Sequence, residues 1–304
     1  MLLEGCTNKT STVLAYPNWV STTSTIPGFS YPGGKKAFPV LRWMRPFFSF
    51  FGSKWRVANY YPVPTHSTII EPFAGSAGYS LRYPNHQIHL YDADPIICGV
   101  WDYLIHVSPE EINRLPLVFS HVDDLDLCPE AKALIGFWLN KGTVQPSKTP
   151  SKWMRDYQAR QPGCTYWSAA VKERIASQVS HIRHWTISHA SYTDIPDHGL
   201  CHKATWFIDP PYEVAGRAYR FHDINYPDLG DWCRSRSGQV IVCENAGAAW
   251  LPFVSFRTIK GLEGNRGGKR SEEVIWTNDE SPTLSAVVPA CVRQPSSQTD
   301  TLSL

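Results

Sequence analysis

An unbroken apolar, β-prone run, Ala204-Thr205-Trp206-Phe207-Ile208, stops abruptly at Asp209-Pro210-Pro211-Tyr212. The run predicts a buried strand. The two prolines fix φ and remove two backbone donors, so a loop begins there whose carbonyls are left to accept from something else. An acidic side chain, a rigid turn and an aromatic ring together suit a flat base carrying an exocyclic amino group. The ring stacks on the base face, while the carboxylate and a proline carbonyl accept the amino hydrogens. The same four residues also read as a plain strand-ending turn. A second motif upstream is needed to separate the two.

Strand candidates recur at Ser67–Ile70, Gln87–Tyr91, His184–Ser188, Ala204–Ile208, Gln239–Cys243, Ser255–Ile259 and Glu273–Trp276. Helical stretches run through Leu81, from Pro95 through Tyr103 and from Tyr226 to Arg234. Alternation of this kind predicts an α/β fold, a mostly parallel sheet covered by helices on both faces. Residues 104–183 break the pattern and read as an inserted, mainly helical domain. Residues 1–40 are rich in Ser, Thr, Pro and Gly and read as a loose arm, and 280–304 as a flexible tail. The catalytic domain is then 41–103 together with 184–279.

No apolar run reaches the roughly 20 residues that span a bilayer, and the first residues lack the basic-then-apolar pattern of a secretory signal. Eight scattered cysteines without a Cys-x-x-Cys pair predict reduced thiols and a cytoplasmic protein rather than disulfides or a zinc site. The histidines show no ligand spacing, so no metal is expected.

Gly75 and Gly78 follow the first strand and precede a helical turn, where small residues allow a tight turn and close backbone approach to a ligand. Asp92, at the end of the next strand, lies at the distance usual for a carboxylate that grips ribose hydroxyls. Asp94 competes for that role and equally suits a helix cap. With no Gly-x-x-x-x-Gly-Lys-Ser/Thr loop in the chain, a nucleoside-type cofactor is favoured over a nucleoside triphosphate.

In combination these stretches resemble the Dam-like S-adenosylmethionine-dependent DNA adenine-N6 methyltransferases. Phe50-Phe51-Gly52-Ser53-Lys54 resembles the family's aromatic-Gly-Lys motif, which lines the methionine end of the cofactor. Glu71 to Gly78 resembles its Glu-Pro-Phe-x-Gly-x-Gly loop, with the second glycine displaced to Gly78 by Ala77. Asp92 corresponds to the ribose-binding acid and Asp209-Pro210-Pro211-Tyr212 to the catalytic motif. Weaker echoes are Ala190-Ser191-Tyr192, where the family borders the cofactor adenine, and Asn265 to Arg270 before the last strand. The resemblance covers about 50–278. It implies a Rossmann-like methyltransferase sheet, cofactor contacts at Phe50, Gly52, Lys54, Glu71, Phe73, Gly75, Gly78, Asp92, Tyr192 and Asp209, and methylation of adenine flipped out of double-stranded DNA, as in restriction-modification. The Arg- and Asn-rich signature with which Dam-like proteins read GATC is missing, so no target sequence carries over.

Between Glu130 and Trp185, nine basic residues face three acidic ones in a chain of net charge +2. Phosphate binding accounts for such a concentration, as does a solvated basic face. The candidate DNA contacts are Lys141, Lys148, Lys152 and Arg155 here, Arg217 in the loop after Tyr212, which reads as a lid or as an ordinary surface loop, and Lys269 and Arg270 further on. Rival readings are methylation of adenine in RNA, protein glutamine methylation, whose motif usually opens with Asn, and a non-catalytic DNA-binding protein that kept the fold.

Overall fold

The computed structural model describes residues 44–140, 142–158, 166–195, 203–214, 216–260 and 270–278, all within a compact unit that spans Arg42–Leu304. The arm 1–40, the tail 280–304, Lys141 and Asn265 to Lys269 lie outside the described residues, and Arg270 is described in its backbone alone.

Seven strands form one sheet in the order β3-β2-β1-β4-β5-β7-β6. They are β1 (Thr68–Glu71), β2 (Gln87–Asp92), β3 (Thr186–His189), β4 (Ala204–Ile208), β5 (Gly238–Asn245), β6 (Val254–Lys260) and β7 (Arg270–Thr277). The first five are parallel; β7 runs antiparallel to β5, and β6 antiparallel to β7. Every strand expected from the sequence is present. The order 3-2-1-4-5 is that of a doubly wound Rossmann-like sheet, here extended by an antiparallel pair at one edge. The chain leaves β1 toward β2 and β3, then returns to β4 on the other side of β1. That reversal puts the topological switch point between β1 and β4, where open α/β sheets bind ligands beyond the carboxyl ends of the strands.

The central strands are mostly apolar because both faces are covered. Ile69, Phe207, Ile241 and Cys243 point into one core layer, and Ile70, Trp206, Ile208, Val240 and Val242 into the other. Helix α1 (Pro95–His106) covers the first face. Asp94 caps it by accepting from the Ile96 amide at 2.9 Å, Pro95 opens it, and Ile97, Val100, Trp101, Leu104 and Ile105 are buried at helical spacing. Helix α6 (Tyr226–Arg234), capped by Asn225, covers the second face through Leu229 and Cys233.

The segment that interrupts the alternation is helical: α2 (Pro109–Arg114), α3 (Pro129–Leu139), α4 (Lys152–Gln158) and α5 (Ala169–Val179). Its buried side chains, among them Leu134, Phe137, Trp167 and Ile175, belong to the same apolar cluster as α1 and the sheet. Phe137 packs on Phe48 and Phe50, with ring centroids 5.0 and 5.9 Å apart. This packing joins the insertion to the segment that carries Lys54. Among the described residues no helix is long and apolar enough to cross a membrane.

Candidate active site

A cleft of about 380 Å³ opens at the carboxyl ends of β1, β2, β3 and β4. All ten residues expected to contact the cofactor line it: Phe50, Gly52, Lys54, Glu71, Phe73, Gly75, Gly78, Asp92, Tyr192 and Asp209. They come from five separate stretches of the chain. Four follow strands that deliver their loops to the same edge, and the Phe50–Lys54 stretch, which precedes β1, meets them through the Gly78 backbone and the Lys54–Asp209 pair.

The loop after β1 is held by its neighbours. Gly75 has φ +43° and donates its amide to Asp92 Oδ2 at 2.9 Å, while its carbonyl accepts from the Trp101 indole at 2.8 Å. Asp92 Oδ1 accepts from the Asp94 amide at 2.9 Å. Asp92 therefore fastens two cleft loops to each other. Burial pushes its carboxyl up to about 6, against the pull of the two amides. Asp94 caps α1, the second of its two sequence readings, and also lines the cleft beside Asp92.

Ala77, not Gly78, sits in the left-handed region, at φ +49°. Gly78 has a different reason to lack a side chain, because a Cβ there would lie 2.6 Å from the Trp55 amide and 2.9 Å from that of Lys54. The loop after β1 and the Lys54 segment thus meet backbone to backbone, which only glycine permits.

Lys54 opens a short 3-10 turn, Lys54–Arg56, just after Gly52 at φ +75°. Its Nζ lies 2.8 Å from Asp209 Oδ1 and donates to Asp209 Oδ2 at 2.9 Å and to the Gly52 carbonyl at 3.1 Å. The ammonium also stands 4.8 Å from the Tyr212 ring centroid and 3.7 Å from Glu273 Oε1. Burial works against this charge, but Asp209 and Glu273 outweigh it and hold the amine protonated. Burial likewise raises the Asp209 carboxyl, opposed by the Lys54 ammonium and the Tyr212 hydroxyl. Asp209 Oδ1 is buried and ion-paired with the ammonium at 2.8 Å but accepts no aligned hydrogen bond, so it keeps acceptor capacity in the cleft. Such an atom fits an incoming N–H donor.

Of the other motif residues, Pro211 lines the cleft and its carbonyl accepts from Tyr226 at 2.7 Å. Pro210 is buried behind it. Tyr212 is turned inward and bonds Glu273 Oε1 at 3.4 Å, so its ring flanks the Lys54–Asp209 pair rather than the cleft wall. The cleft's aromatic surface comes from Phe50, Phe51, Tyr219 and Phe221 near Asp209, and from Phe73 and Tyr192, 5.7 Å apart. Tyr219 belongs to the loop after Tyr212 and bonds the Phe51 carbonyl at 3.3 Å. Arg220 lines the cleft, while Arg217 is exposed and does not.

Two buried acids escaped the sequence reading. Glu273 on β7 accepts from Tyr61 at 2.8 Å and faces Lys54, which joins the antiparallel part of the sheet to the Asp209 motif. Glu244, near the end of β5, accepts from the Glu213 amide at 3.2 Å, the Asn245 amide at 2.8 Å and the Trp250 indole at 3.2 Å, anchoring the loop that follows Tyr212. Period-two alternation was the available signal for Glu273, because it shares a face with Ile275, a core residue.

The basic insertion is largely engaged with its own chain. Lys172 and Arg174 donate to the carbonyls of Leu115 and Pro46, and Arg183 to those of Ile105 and Val107. Lys148 pairs with Asp123 at 2.6 Å, Lys152 pairs with Asp156 at 2.7 Å, and Arg155 donates to the Pro150 carbonyl.

No family model matches the chain, and no curated protein matches it in sequence. Among solved structures, the rRNA methyltransferase aviRa from Streptomyces viridochromogenes shares 14% identity at a TM-score of 0.39, over 79% of this chain and 90% of that one. The fold rests instead on the strand order and on the loops gathered at its switch point.

Proposed function

We propose that the chain is an S-adenosylmethionine-dependent methyltransferase acting on the N6 amino group of adenine in DNA. One observation carries the reading. The cleft at the switch point brings the Gly75 loop and Asp92 into one cavity with Asp209, whose buried Oδ1 pairs with Lys54 but accepts no aligned hydrogen bond. When bound, S-adenosylmethionine supplies a methyl group on a positively charged sulfur.

The residues fit such a group. Gly52 and Gly75 line the cleft and admit the Tyr219 and Phe50 side chains that wall it, Asp92 offers a carboxylate at the ribose position, and Phe73 and Tyr192 border a flat ring. Asp209 accepts a hydrogen from the target amino group, favouring a pyramidal nitrogen with an available lone pair, and faces the positive charge that develops there. Lys54 fixes the orientation of Asp209 through its approach to both carboxylate oxygens, at 2.8 and 2.9 Å. Holding the reacting atoms in line supplies about 7–11 kcal/mol of the acceleration in well-oriented systems. Phe51, Tyr219 and Phe221 offer faces on which an extruded base stacks, at about 1–3 kcal/mol per base.

The test is transfer of labelled methyl from S-adenosylmethionine to duplex DNA, with RNA of the same sequence as the competing acceptor and digestion to nucleosides to locate the methyl. N6-methyldeoxyadenosine is the expected product. Methyl found only in RNA, or on a base other than adenine, would replace the substrate assignment.

A further inference from the structure

Glu273 is buried, carries a carboxylate and takes no part in the chemistry described above. Its Oε2 accepts from Tyr61 at 2.8 Å, and its Oε1 accepts from Tyr212 at 3.4 Å and lies 3.7 Å from Lys54 Nζ. Two acids thus share one ammonium. An ion pair between Lys54 and Asp209 is complete without Glu273, and a second buried carboxylate is costly unless it answers some other charge.

That charge appears during methyl transfer. As the nitrogen–carbon bond forms, the carbon–sulfur bond breaks with its electron pair left on sulfur, and the nitrogen holds one proton too many. Asp209 Oδ1, ion-paired with Lys54, accepts no aligned hydrogen bond and has capacity left in the cleft. If Asp209 takes the proton, Lys54 loses its nearest counter-ion while still buried. We propose that Glu273 is a positioning residue that serves as the reserve counter-ion of Lys54, so that Asp209 can accept the proton released by methylation without stranding a buried ammonium. The inference rests on the methyltransferase reading and extends it.

The groups facing Asp209 are Lys54, Tyr212 on its own loop, Glu273 from β7, Tyr61, Cys243 from β5 and Tyr219 from the following loop, with Glu71 and Glu244 further off. Lys54 is the one cation among them, and of these acids Glu273 alone touches it besides Asp209. The cysteine and the tyrosines stay neutral, since burial raises all four.

The test is a pH titration of the carboxyl carbons by NMR, on protein labelled at Asp and Glu side chains and assigned with Asp209→Asn and Glu273→Gln. In the parent, Asp209 and Glu273 should each register both of two coupled steps. In Glu273→Gln, Asp209 should titrate in one step, about 1–3 pH units lower, because a neighbouring negative charge is gone. The acidic limb of the single-turnover methyl-transfer rate should move down by the same amount, S-adenosylmethionine affinity should hold, and Glu273→Asp should restore the parental limb. Should Glu273→Gln fail to fold, the coupled steps in the parent remain the deciding readout. Independent single steps, or an Asp209 titration unmoved by Glu273→Gln, would overturn the inference and leave the methyltransferase reading intact. A parent that binds S-adenosylmethionine yet methylates no nucleic acid would overturn both.

Discussion

Lys54 and Asp209 stand 155 positions apart in the chain, yet the ammonium lies within 2.9 Å of both carboxylate oxygens. This pairing ties the amino-terminal aromatic-Gly-Lys segment to the loop after β4, and the site around it depends on both partners.

Asp209→Ala should abolish methyl transfer while leaving S-adenosylmethionine affinity within about tenfold. The variant lacks a charge-assisted acceptor worth about 1.5–3 kcal/mol together with the alignment it gives the target nitrogen. Lys54→Met should cost about 3–5 kcal/mol of stability in denaturant titration, because it leaves two acids buried without their cation. A Lys54→Met protein as stable as its parent would deny the pair its place in the fold.

Asp92 and Asp94 should separate cleanly. Asp92→Ala should weaken S-adenosylmethionine binding about ten- to a hundredfold by calorimetry, since it removes hydrogen bonds worth about 1.5–3 kcal/mol. Asp94→Ala should cost about 1 kcal/mol of stability, the value of a helix cap, with affinity little changed. Reversed effects would give the ribose role to Asp94.

The loop after β1 yields a paired test. Ala77→Gly should stabilise the protein by about 1 kcal/mol, since a left-handed alanine is relieved. Gly78→Ala should destabilise it and lower activity, because its Cβ would push on the Trp55 and Lys54 amides. Equal effects at the two positions would show that the loop does not have this geometry.

Glu71 is buried at the cleft, accepts from the Ser80 amide at 2.8 Å and has its carboxyl pushed up to about 8 by desolvation. A raised acid binds its proton more readily in the folded state, so its contribution to stability falls as pH rises from about 4.5 to about 8. Glu71→Gln should match the parent near pH 4 and become progressively more stable than it toward pH 8. A constant offset across that window would contradict the assignment.

Much of this was legible in the sequence, and the reasons are local. Buried parallel strands are mostly apolar, and Pro and Gly mark their ends, so the seven strands and the loops at Gly75 and Asp209 could be read directly. The jobs of Ala77 and Gly78 could not be read so, because which one turns left-handed depends on the Lys54 segment packed above them. Glu273 was hidden for a similar reason. It adjoins Glu272, and the register of β7 on β5, pairing Asn245 with Glu273, selects which of the two faces the core. In the insertion, the count of positive residues was legible but not their partners: Lys132, Arg155, Lys172, Arg174 and Arg183 are committed to backbone carbonyls.

Those partners shape the expected salt dependence. Lys148 and Lys152 must each leave a carboxylate before neutralising a phosphate. Removing a side chain that neutralises one phosphate should lower the log–log salt slope of duplex affinity by up to about 0.9. Arg217→Ala with Arg220→Ala should therefore reduce it more than the triple Ala variant of Lys148, Lys152 and Arg155. The opposite ranking would locate the backbone interaction on the insertion.

The most direct test of the central claim is methyl transfer itself, from labelled S-adenosylmethionine to unmethylated duplex DNA, comparing the parent protein with Asp209→Ala and reading the product as nucleosides. The parent should yield N6-methyldeoxyadenosine and the variant none above background, with both proteins binding S-adenosylmethionine. Equal transfer by the two proteins, or none by a parent that binds S-adenosylmethionine, would contradict that claim.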